Sequence, residues 1–126
     1  MNEIELIDTK IKQPVAKISN TELEKLIDRE FPENSDLVKR KLTEIKSNSR
    51  NGQNRIGAAV LKLANSDLNA IDYLISEAND DFRDIISQAE YPRASKYGFE
   101  ERSDNELKAD YLNDWNEYSE WKNKKQ

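Results

Sequence analysis

From Arg55 to Arg93 the chain reads RIGAAVLKLANSDLNAIDYLISEANDDFRDIISQAEYPR, with apolar residues recurring at intervals of three and four. That is the period of a helix with one buried face. Nowhere else are apolar residues dense enough to define a core, so the fold must be built around these residues. Only 3 Gly and 3 Pro occur in 126 residues, which argues against a turn-rich β sandwich. The expected fold is all-α: a single irregular bundle of five to six short helices spanning residues 19–126. Residues 1–18 alternate loosely around Pro14 and read as an extended, flexible arm.

Local signals set the boundaries. Ser19-Asn20-Thr21-Glu22 is a capping box opening a helix that Pro32 ends. Asn34 or Ser35 can cap a second helix from Asp36 to about Lys46. Residues 47–54, SNSRNGQN, carry an Asn-Gly turn signal and read as a polar loop. Three helices then follow in quick succession: Arg55 to Ala64, one capped by Ser66, and Asp80 to Glu90 capped by Asn79, with Phe82, Ile85, Ile86 and Ala89 inward. Tyr91-Pro92 closes the compact part and residues 93–102 read as a loop. Ser103-Asp104-Asn105-Glu106 is a second capping box, opening a final helix to about Lys122.

Composition removes most chemistry. The chain has no cysteine and no histidine. Thiolate zinc sites, cysteine nucleophiles, the commonest general base and the commonest metal ligand are therefore absent together. No glycine-rich phosphate loop, nucleophile elbow or HExxH motif is present. Enzyme activity is not expected, and no cofactor is implied. No apolar run approaches the length of a membrane span, and the start MNEIELIDTK lacks a basic region followed by an apolar one. A cytoplasmic location is the default expectation.

Net charge is −5, but unevenly spread. Residues 36–64 carry seven basic residues against two acids, whereas residues 65–90 carry seven acids against Arg83. Packed side by side, the two segments would complement each other; left open, they would steer a charged partner. Glu77, Asp80, Asp81 and Asp84 form the best candidate for a divalent cation, yet they match no EF-hand, and acids also suit the first turn of a helix. Arg83 is expected to pair with Asp80 or Asp84, or to reach Glu90. The stretch from Lys39 to Arg55 could contact phosphates, although no nucleic-acid-binding motif accompanies it. Seven of the ten aromatic residues lie in the last 36 positions. Leu107, Tyr111, Leu112, Trp115, Tyr118 and Trp121 stripe the final helix, either as a packing face or as a docking face.

The string AAVLKLANSDLNAIDYLISEANDDFRDIISQAEYP, together with DWNEYSEW (Asp114 to Trp121), resembles a set of small uncharacterised bacterial all-helical proteins. The likeness spans about residues 55–121. It implies a bacterial origin and a helical fold and transfers no site.

The functional expectation is a non-catalytic protein-binding module, an acidic inhibitor or antitoxin-like partner of a basic protein. Its partner surface would use Asp80, Asp81 and Asp84, with Trp115, Tyr118 and Trp121 as aromatic anchors. The alternatives are a nucleic-acid-associated protein using residues 39–55 and a structural homodimer, in which self-association buries more apolar surface.

Overall fold

The computed structural model describes residues 15–47, 49–96 and 103–124, with the side chain of Arg50 left out. All regular structure among them is helical: α1 (Asn20–Glu30), α2 (Ser35–Leu42), α3 (Arg50–Ala64), α4 (Leu68–Asp80), α5 (Phe82–Glu90), α6 (Pro92–Lys96) and α7 (Asp104–Asn123). The all-α expectation holds, with seven helices among the described residues rather than five or six. The added helix is α6. Pro92 opens it instead of closing the domain, because the first helical position has no N–H to lose. No described helix is long and apolar enough to cross a membrane.

Helix α3 is the axis of the bundle, packing on α1, α4 and α5. Residues 58–61 on it are excluded from solvent altogether. Gly57 faces α1 and α2, with the Leu23 and Leu42 side chains 3.5–3.7 Å from where a Cβ would sit. Around this axis Leu26, Ile27, Val38, Ile71, Leu74, Ile75, Ile85 and Ile86 complete one continuous apolar cluster.

Helix α3 begins five residues earlier than the sequence suggests. Ser49 is its cap, its Oγ accepting from the Gly52 N–H at 2.9 Å. The Asn-Gly pair therefore lies in a first turn rather than in a loop. Residues expected to form a solvated loop instead clasp the preceding arm. Asn51 Oδ1 accepts from Ile18 N–H at 3.3 Å, and buried Asn54 donates to Ile18 O and Asn20 Oδ1. Gln53 donates to Ile45 O. The arm's residues 15–18 carry no regular structure, with Ala16 and Ile18 buried and Val15 exposed. Residues 1–14 lie outside the described residues.

Two caps differ from expectation. Asp67, not Ser66, caps α4, and Asp81, not Asn79, caps α5. Ser66 has φ 65° and Asn65 φ 51°, so both complete the left-handed exit from α3. Asn79 tethers α2's exit instead: its Oδ1 accepts from Lys46 N–H at 2.9 Å and its Nδ2 donates to Glu44 O at 3.1 Å. Both capping boxes form as the sequence indicates, at Ser19–Glu22 and Ser103–Glu106.

Candidate functional site

The acidic candidate occupies the corner where α4 passes into α5. Asp80 ends α4, Asp81 caps α5, and Asp84 sits in its first turn. Asp80 and Asp84 are exposed and Asp81 is half-buried. Asp81 accepts the Arg83 guanidinium at 3.0 and 3.2 Å as well as the Arg83 N–H. Arg83 thus pairs with neither expected neighbour, because the capping geometry turns Asp81 back over it. The guanidinium bonds, then the backbone bond, hold the Asp81 carboxyl below its ordinary range. Among the described residues no three carboxylates converge in a way that could hold a metal ion.

One aromatic departs from its expected place. Phe82, read as inward, is 48% exposed at the first position of α5, between Asp80 and Asp84 in sequence. Tyr73 is 64% exposed on α4, where the Glu77 carboxylate one turn on raises its phenol above the ordinary range. Spacings of four and three put Tyr73, Glu77 and Asp80 along one solvent-facing side of α4.

The aromatic candidates on α7 divide. Tyr118 is buried, so it is unavailable as an anchor in this conformation; its ring stacks on Trp115 at a centroid distance of 6.5 Å and lies tilted against Trp121 at 5.7 Å. Trp115 is half-buried. Trp121 is also half-buried, packing on the core with the Arg29 guanidinium 5.0 Å from its ring centroid. The aromatic helix α7 packs mainly on α6 and α5, while Asp80 and Asp81 mark the opposite end of α5 from Glu90.

Three of the six basic residues in the stretch 39–55 are held in internal pairs. Lys39 reaches Glu24 at 2.8 Å and Lys41 reaches Asp72 at 2.7 Å. Arg55 is drawn inward to Glu90, 35 residues away. The Lys41 and Arg55 pairs cross between the basic and acidic segments, so part of the charge asymmetry is spent on packing one against the other.

Around Arg55 lies a buried polar group that the sequence reading missed. Its Nε and Nη2 donate to the two Glu90 oxygens at 2.9 and 2.8 Å, and Nη2 also donates to Tyr91 Oη at 2.9 Å. Burial works against the Arg55 charge, but Glu90 more than offsets it and holds the guanidinium protonated. Burial, followed by the neighbouring Glu90 carboxylate, raises both the Tyr91 and Tyr118 phenols above their ordinary range. The arrangement is a bidentate ion pair in which Glu90 is buried and Arg55 is partly exposed. A second buried acid, Asp114, accepts from the Arg93 and Ala94 N–H groups at 3.1 Å each and from Arg93 Nη1 at 3.0 Å. It caps α6 from another helix.

No family model, no curated protein and no solved structure matches the chain.

Proposed function

We propose that the protein is a non-catalytic binding module of the cytoplasm, of bacterial origin, whose α4–α5 corner receives a basic protein. The observation that carries this reading is Phe82, a large apolar ring nearly half exposed at a helix start and flanked by exposed Asp80 and Asp84. An aromatic ring amid acids suits a cationic, partly apolar surface: the charges steer the encounter and the ring supplies desolvated contact. Exposed Tyr73 extends the same chemistry along α4. Asp81 contributes less directly, since it caps α5 and holds Arg83.

The test is a tagged capture from source-organism lysate, with and without nuclease. It compares the wild type with a Phe82→Ala, Asp80→Asn, Asp84→Asn variant whose helical content is checked by circular dichroism. A basic protein retained through nuclease and lost with the variant supports the module. Material that disappears on nuclease treatment transfers the role to residues 39–55. Equal capture by both proteins removes the corner from consideration, and an empty capture by both favours the homodimer.

A further inference from the structure

We propose that α7 is a strap, docked by charged latches, that lifts as a unit while the rest of the bundle stays folded. Every fully buried member of the apolar cluster lies between Ile18 and Tyr91; α7 adds only Tyr111 and Trp121, both partly buried. Its two fully buried side chains are Asp114 and Tyr118. The first is a carboxylate engaged with α6. The second is a phenol whose Oη has no hydrogen-bond partner, a cost that undocking into water removes.

Besides the buried Tyr118 ring and the partly buried Tyr111 and Trp121, charged side chains hold α7 down. Arg29 of α1 donates from Nη1 to the carbonyls of Trp121, Lys122 and Lys124, at 2.7, 3.4 and 2.9 Å. Its Nη2 is buried without a partner, and Glu30 accepts from its Nε at 3.1 Å. Lys122 Nζ lies 3.2 Å from Glu22, and Arg93 clasps Asp114 and Glu117 at 3.0 and 2.6 Å. These latches join α7 to the first and sixth helices, leaving the axis α3 to its apolar neighbours.

Once lifted, α7 has only its own 20 residues and capping box to hold it, and an isolated helix of that kind interconverts with coil, so its amides exchange when it opens. Regions held by few buried apolar contacts open at lower free energy than the core they cover. Lifting α7 uncovers the Tyr91 ring, which Tyr111 meets edge-on at 6.2 Å, beside the Arg55–Glu90 pair. The strap thus conceals a face that combines an aromatic ring with a buried charge pair.

Native-state hydrogen exchange on the full chain tests this, in low salt and in about 1 M NaCl, where the screening length falls to about 3 Å. Amides of α7 are expected to be at least about tenfold less protected than those of residues 58–61. High salt should widen that gap. Tyr118→Phe, which removes the orphan hydroxyl, should slow α7 opening roughly fivefold or more and leave α3 unchanged. Equal protection of α7 and α3 in both salts would overturn the strap, as would a Tyr118→Phe variant in which α7 and α3 shift together.

Discussion

Arg55 and Glu90 meet in two parallel hydrogen bonds of 2.9 and 2.8 Å, with the Glu90 side chain 1% exposed. They join the first turns of α3 to the last residue of α5. Removing one member leaves the other charged and buried. Glu90→Ala or Arg55→Ala is therefore expected to destabilise by about 3–5 kcal/mol, whereas the paired replacement Arg55→Met with Glu90→Leu should cost much less than the two single changes together. Urea unfolding of the four proteins measures the coupling. Additive losses would mean that the pair is not linked energetically.

The two helical glycines should respond to alanine in opposite ways. A Cβ at Gly57 meets Leu23 and Leu42 at 3.5–3.7 Å, ordinary contact, so Gly57→Ala should gain the usual helix benefit of about 0.5–1 kcal/mol. At Gly52 a Cβ would lie 2.5 Å from Ser47 Oγ and 2.9 Å from Ser49 Oγ. Moving Ser49 breaks the α3 cap, a loss of about 1 kcal/mol that cancels the gain. Thermal melts should place Gly57→Ala above the wild type and Gly52→Ala at or below it. The reverse order would refute the account of how α3 starts.

What the sequence disclosed follows from range. Both capping boxes are legible because each is closed by residues three apart. The Asn-Gly pair misleads because Asn51 itself and nearby Asn54 are bound to the distant Ile18 backbone, which no local pattern contains. Phe82 fits the inward stripe by spacing, yet the cap at Asp81 starts α5 there, and the first position turns outward. Of the candidate site, Asp80 and Asp84 are exposed at a helix junction and Asp81 is half-buried there as a cap, but Tyr118 is not an outward anchor. Arg55–Glu90 and Arg93–Asp114 escaped notice because 35 and 21 residues separate the partners. A signal did exist. Glu90 follows Ile86 by four, and Asp114 lies between Tyr111 and Tyr118 at three and four, so each acid stands on an apolar stripe. A charge in such a position implies a buried partner.

Asp114 works from α7 on a helix it does not belong to. Asp114→Ala leaves the Arg93 and Ala94 N–H groups without their acceptor, an expected loss of about 1–3 kcal/mol. Asp114→Asn keeps one acceptor oxygen and should recover part of it. The readout is denaturant unfolding followed by tryptophan fluorescence, since Trp115 and Trp121 share the helix with Asp114. An unchanged midpoint for Asp114→Ala would show that water replaces the cap at no cost.

Alkaline pH should unfold the protein through its buried phenols. Tyr91 and Tyr118 have folded pKa values raised above the ordinary 10.0, first by burial and then by Glu90. A group raised in the folded state contributes stability that is complete below its unfolded pKa and is lost as pH climbs toward the folded one. The loss should therefore begin near pH 10 and grow above it. Tyrosinate absorbance and helical circular dichroism, followed together, should show these two rings ionising above the exposed tyrosines, as α7 lifts or the helices melt. Replacing one ring by phenylalanine removes one of the ionisations, so Tyr118→Phe should move the alkaline midpoint to higher pH. Complete ionisation of every tyrosine near pH 10 with the helices intact would contradict the burial of both rings.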